Sequence, residues 1–252
     1  MPKISKKGQE LPSSPIRKLV SHAEEAKSRG IEILHLNIGQ PDINAPTEAM
    51  EIIRNHNLKL LPYGSSQGPL SYRKKLCRYY KQHDISIDKN DIIVTTGASE
   101  ALSFTLNVIC DAGDQIIIPE PFYANYNGFA ASSSLDVIPI ASNFESKFKL
   151  PPVKDIKEKI TDKTRAILIC NPSNPTGYLY TMAEINSLAE LAVEKNIFII
   201  VDEVYREFIY TDSKHYSILQ NKKANQHSIM IDSVSKRYSL CGARVGCMIS
   251  KN

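Results

Sequence analysis

Strand-length stretches of this chain that are apolar without interruption recur along it, and that recurrence limits the fold more than any other feature. They are Ile92-Ile93-Val94, Gln115 to Ile118, Ala166 to Cys170, Ile197 to Val201, Ile229-Met230-Ile231 and the "VGCMIS" run at 245–250. A strand with one wet face alternates apolar and polar residues. These runs do not, so they read as strands covered on both faces, as in a parallel sheet. Helical patterns lie between several of them. Residues 182–196 carry Ile185, Leu188, Leu191 and Val193 near helical spacing, and Thr181 with Glu184 forms a capping box ahead of them. Ser14-Pro15 is expected to open another helix running to Gly30. Strand and helix in alternation predict an α/β fold, a mostly parallel sheet sandwiched by helices, whose ligands gather at the carboxyl ends of the strands.

Composition narrows the function classes. The chain has 252 residues, 42% hydrophobic and 23% charged, enough to bury a sizeable core. Its net charge of +4 comes from scattered lysines rather than a stripe, so nucleic acid is not an implied partner. The opening "MPKISKKGQELPSSP" lacks the apolar centre of a signal sequence, and no later stretch has the length of a membrane span, which makes a cytoplasmic protein the expectation. The five cysteines form no CxxC pair and read as reduced thiols. No HExxH or similar histidine spacing supports metal catalysis.

Polar residues that are unusual at strand ends form the candidate site. After Ile92-Ile93-Val94 comes "TTGASEAL", a turn through Gly97, Ala98 and Ser99 that opens a helix, where free N–H groups and the helix dipole suit a single phosphate. After Cys170 comes "NPSNPTG", an irregular turn that can aim the Asn174 amide inward. After Val201 comes Asp202, a carboxylate at the end of a buried strand, costly there unless it faces a cation or hydrogen-bond donors. After Ile231 comes "DSVSKRYSLCGARVG", with Lys236 available as a nucleophile toward a carbonyl and Arg244 eight positions later. One sheet edge thus gathers a phosphate cradle, an amide, a carboxylate, a lysine and an arginine.

With these motifs in this order, the chain from about Leu11 to Asn252 resembles the class I/II aminotransferases, pyridoxal-phosphate (PLP) enzymes of fold type I. "SVSKRYSLCGARVG" is similar to that family's SxSK…GxRxG signature. The resemblance implies Lys236 as the Schiff-base lysine that holds PLP as an internal aldimine, with Ser233 and Arg244 on the cofactor phosphate beside Gly97, Ala98 and Ser99. It implies Asn174 and Tyr205 on the phenolic oxygen, Asp202 on the pyridinium nitrogen and Tyr123 of "PEPFYANY" stacked on the ring. Lys236, Asp202 and Tyr205 are the implied catalytic set. Tyr63 of "LPYGSSQGPLSYR" would reach the phosphate of a neighbouring subunit, implying a homodimer. Gly39 of "LNIGQPD", with Asn174, would lie near the substrate. The substrates so implied are an amino acid and a 2-oxo acid. Residues 1–45 then read as an N-terminal arm and small-domain segment, and 46–252 as the PLP-binding large domain.

Three further expectations accompany that resemblance. The family continues into a small C-terminal domain whose arginine clamps the substrate carboxylate. The chain stops two residues after its last strand, so a fragment of a longer enzyme is expected, and none of its own arginines is assigned that role. A carbon–sulfur lyase of the same fold would share Lys236, Asp202 and Arg244. Readings from other classes are a non-catalytic PLP-binding regulatory domain and an α/β-hydrolase, the latter because Gly64-Ser65-Ser66-Gln67-Gly68 fits GxSxG and Asp202 and His227 follow in chain order.

Overall fold

The structure, a computed structural model, describes residues 2–11, 14, 17–37, 39–57, 59, 60 and 62–252. The six expected strands form, with ends shifted by up to two residues, and a seventh, β3, joins them: β1 Ile92–Thr95, β2 Gln115–Glu120, β3 Asp136–Ala141, β4 Thr164–Cys170, β5 Phe198–Asp202, β6 Ser228–Ser233 and β7 Gly246–Ser250. They make one sheet of order β1-β7-β6-β5-β4-β2-β3. Pairings from β3 through β6 are parallel, and β7 runs antiparallel to both of its neighbours. The helices are α1 Lys6–Glu10, α2 Val20–Ser28, α3 Thr47–Arg54, α4 Leu70–Lys81, α5 Ala98–Ile109, α6 Asn125–Ser132, α7 Val153–Glu158, α8 Met182–Lys195 and α9 Val234–Arg237.

Uninterrupted apolar strands have the meaning expected of them. Ile117, Ile167, Ile169, Ile199, Val201 and Met230 enter one core. Their chain neighbours Ile116, Ile118, Leu168, Ile200, Ile229 and Ile231 enter a second core on the other face. The pleat sends successive side chains to opposite faces, so a strand between two helix layers must be apolar at every position. Helix α8 begins as its sequence predicts. Thr181 Oγ1 accepts the Glu184 N–H at 3.2 Å, while the Glu184 carboxylate accepts the Thr181 N–H at 2.8 Å.

Two features differ from expectation. Helix α2 begins at Val20 and ends at Ser28, shorter than a helix from Ser14 to Gly30; Pro15 lies outside the described residues. None of its residues is buried, so no apolar face draws the flanking turns into the helix. Strand β3 was not anticipated. Its run, "DVIPIA", contains Pro139, which is tolerated because β3 stands at the sheet edge. Among the described residues, no helix is long and apolar enough to cross a membrane.

Candidate active site

Strand β5 delivers Asp202 to its carboxyl end, where the residue is only 5% exposed. Register sets it beside Cys170 of β4. The Tyr126 hydroxyl, from α6, donates to Asp202 Oδ2 at 2.8 Å, and the Val204 N–H donates to Oδ1 at 3.3 Å. No cationic side chain pairs with Asp202 among the described residues. Burial therefore pushes its pKa up to about 6, the two hydrogen bonds oppose the rise, and Asp232 and Glu203 add to it. Such a carboxyl is suited to receive a cationic ring nitrogen from a ligand.

The cradle forms where β1 ends and α5 begins. Gly97 takes φ +81° at the helix N-cap, and no side chain caps the first turn. The Glu100 carboxylate, which could have done so, accepts the Thr96 N–H instead. Arg244 lies over Gly97, its guanidinium donating to Thr96 O at 3.4 Å and Cys241 O at 3.2 Å. Ser233 Oγ is 2.7 Å from Ser235 Oγ. These groups converge because β7 starts against α5: a Cβ on Gly246 would stand 2.5 Å from the Gly97 carbonyl carbon and 2.7 Å from the Ala98 nitrogen. Backbone cannot yield as a flexible side chain does. Gly246→Ala should accordingly cost about 1–3 kcal/mol of stability, as overpacking does. It should also weaken binding of inorganic phosphate at this cradle, measured by calorimetric titration, and an affinity equal to that of wild type would show that the cradle had not moved.

Lys236 lies on α9, one turn beyond the end of β6. Its ammonium donates to Gly39 O at 2.8 Å and stands 5.9 Å from the centre of the Tyr205 ring. The Asn174 amide donates to the Tyr205 hydroxyl at 3.4 Å, which leaves the phenol proton free to be donated elsewhere. Burial pushes the Tyr205 phenol above its ordinary pKa, so that proton is retained at neutral pH. Tyr123 meets Tyr126 edge to face, ring centres 5.5 Å apart. All of these open into one cavity of about 940 Å³, lined among others by Gly39, Ala98, Ser99, Tyr123, Asn174, Asp202, Tyr205, Ser233, Lys236 and Arg244. That volume lies within the range of small-molecule and cofactor sites.

The family model for aminotransferase class I and II matches residues 31–252. The chain belongs to this family. It is 33% identical over 247 residues to an aspartate aminotransferase of Bacillus subtilis, an alignment covering 97% of this chain and 63% of that protein. An aspartate aminotransferase of Bacillus sp. strain YM-2 is 33% identical over 231 residues, covering 90% of this chain and 59% of the relative. The chain therefore spans about three fifths of the length of these relatives. Among solved structures, the aspartate aminotransferase of Thermotoga maritima superposes with a TM-score of 0.92 at 28% identity, covering 98% of this chain and 66% of that one. The alanine aminotransferase of Pyrococcus furiosus gives 0.87 at 30% identity, with coverages of 98% and 63%.

Of the residues that the aminotransferase resemblance singled out, Tyr63 stands apart: it is fully exposed and does not line the cavity. Gly97 lies directly beneath Arg244. Several lining residues had not been anticipated, among them Ser235, Asn125, Tyr126 and Arg17. Ser235 had a visible signal, being the second serine of "SVSK". The hydrolase reading fails on geometry. Ser66 sits in an exposed turn with no strand leading into it among the described residues, and His227 contacts Ile197 O at 3.0 Å, at the opposite end of β5 from Asp202.

Proposed function

We propose that this chain carries the cofactor site of a PLP-dependent aminotransferase that moves an amino group between an L-amino acid and a 2-oxo acid. One observation carries the reading. A lysine amine, an uncapped helix N-terminus flanked by an arginine, and a buried carboxyl without a cationic partner among the described residues all face a single cavity. Pyridoxal phosphate, when bound, supplies an aldehyde for an amine to condense with and a ring that draws electrons from a broken Cα–H bond. The N–H groups of the first turn of α5, the Ser99 and Ser233 hydroxyls and Arg244 hold its phosphate. Asp202 keeps the ring nitrogen protonated, and Tyr126 orients Asp202. Asn174 and Tyr205 donate to the phenolic oxygen. Tyr123 covers the ring face. Lys236 would hold the aldehyde end of the cofactor and would be the group that moves a proton at the substrate Cα. Gly39 and Asn174 face the substrate. Tyr63, exposed and outside its own cavity, serves the phosphate of a second copy in a homodimer.

The test loads the protein with PLP, records the visible absorbance, reduces with borohydride and locates the pyridoxyl group by peptide mass spectrometry. The label should lie on Lys236 and be absent from Lys236→Ala. Labelling spread over other lysines, with an unchanged spectrum in the variant, would overturn the site assignment. The activity is tested by following the amino group onto 2-oxoglutarate. Ammonia released without an oxo-acid acceptor would point to an eliminating enzyme instead.

A further inference from the structure

Asn171 opens the "NPSNPTG" turn but does not line the cavity that Asn174 enters from the same turn. It follows β4 directly, is fully buried, and has every polar group engaged. Its N–H donates to Asp202 O at 2.9 Å, and its carbonyl oxygen lies 3.1 Å from Nε2 of His215. The side-chain Oδ1 accepts the Tyr180 N–H at 3.1 Å, while Nδ2 donates to Tyr216 O at 3.2 Å. One partner requires an acceptor and the other a donor. A carboxamide offers both from separate atoms, whereas a carboxylate offers only acceptors and a methyl neither.

These bonds join three stretches of chain. Asp202 ends β5, Tyr180 precedes the N-cap of α8, and His215 and Tyr216 lie on the segment beyond β5. Past this root the turn closes on itself: the Ser173 N–H donates to Tyr178 O at 2.8 Å, and the Gly177 N–H to Ser173 O at 2.9 Å. Asn174 sits inside that closed loop. Its amide reaches the Tyr205 hydroxyl at 3.4 Å, a long bond that a small displacement would break. A loop bonded to itself moves as one piece, so its root decides where Asn174 points.

We infer that Asn171 is a positioning residue: it holds the root of the turn against the end of β5, and so fixes Asn174, on the phenolic oxygen of the cofactor, relative to Asp202, on the ring nitrogen. This rests on the cofactor reading given above. It adds to that reading a buried residue that touches neither cofactor nor substrate and acts through Asn174.

The experiment follows the visible absorbance of the PLP-loaded protein against pH. A donor on the phenolic oxygen draws off its negative charge, so the proton on the Lys236 nitrogen is held less tightly; losing the donor raises the pH at which that proton leaves. Asn171→Ala, and Asn171→Asp as the variant that keeps the Tyr180 bond, should raise the midpoint by about one unit, the worth of one charge-assisted hydrogen bond. Asn174→Ala should do the same, and adding Asn171→Ala to it should raise the midpoint no further. A midpoint equal to that of wild type in both Asn171 variants would overturn the assignment. So would a full rise in the Asn174→Ala background, which is what a general loosening of the fold would produce. In the cofactor-free protein, amide exchange read by mass spectrometry should quicken over residues 173–178 in Asn171→Ala and not in Asn174→Ala; wild-type protection in Asn171→Ala would equally sink the idea. Each protein is also reduced with borohydride. An unlabelled Lys236 in wild type would bring down the cofactor reading and this inference with it, whereas a normal label with an unmoved midpoint would bring down the role of Asn171 alone.

Discussion

On the proposed function, Asp202→Asn should cut turnover of the PLP-loaded enzyme by about 10²- to 10⁴-fold while making the cofactor-free chain more stable at pH 8. The two effects share a cause. Asp202 is a carboxyl with two hydrogen bonds and, among the described residues, no cationic partner, buried at the end of a strand. With a protonated ring nitrogen opposite, it becomes half of a buried ion pair, and removing one partner of such a pair costs about 3–5 kcal/mol, which sets the expected loss in rate.

Without that nitrogen the charge has only its cost. In the folded chain Asp202 holds its proton up to a pH of about 6, whereas in the unfolded chain it releases it near pH 4. The folded state binds the proton more tightly, so stability is greatest below pH 4 and falls as pH rises from 4 to 6; above 6 the penalty is complete. A shift of about two units corresponds to at most about 3 kcal/mol. Urea denaturation of cofactor-free wild type and Asp202→Asn should therefore coincide near pH 4 and separate by a few kcal/mol at pH 8, in favour of the variant. Taking the difference between the two proteins cancels other groups that titrate in this window. A variant that is less stable than wild type at both pH values would show that Asp202 is satisfied within the chain and not waiting for a cation.

How much of this was legible beforehand follows from where each signal lies. Strands buried on both faces announce themselves because every position is apolar, so β1, β2 and β4–β7 could be read from the chain. Edge strand β3 could not, since its exposed face and Pro139 remove the signal that burial imposes. Lys236, Asp202, Asn174 and Gly97 could be singled out as candidates because they lie at or within four residues of the carboxyl ends of such strands, where an α/β sheet collects its ligands. Tyr126, Asn125 and Arg17 reach the same cavity from α6 and from the segment before α2. Their adjacency to Asp202 and Tyr123 is made by tertiary packing, and no periodicity encodes it.

The residue after the lysine gives the second large effect. The Arg237 side chain is 5% exposed and does not line the cavity. Its guanidinium pairs with the Asp232 carboxylate and donates to the Tyr79 hydroxyl, with its centre 4.6 Å from the Tyr79 ring centre. Glu207 lies 3.9 Å away. Asp232, next to last in β6, is itself 1% exposed; its other bonds come from the Tyr80 hydroxyl at 2.5 Å and the Ser233 N–H at 2.7 Å. Arg237 therefore fastens α9, which carries Lys236, to the strand end that carries Ser233 and to α4. Arg237→Met removes the cation and leaves Asp232 buried and unpaired, which should cost about 3–5 kcal/mol. The double variant Arg237→Met/Asp232→Asn has neither charge and should recover most of that loss, because a neutral pair of similar volume avoids the desolvation penalty. Denaturation midpoints of the three proteins measure this, and a loss below about 1 kcal/mol in the single variant would show that the pair is not needed to hold α9. If the double variant regains stability yet accepts pyridoxal phosphate on Lys236 more slowly than wild type, the ion pair serves to place the lysine as well as to hold the fold.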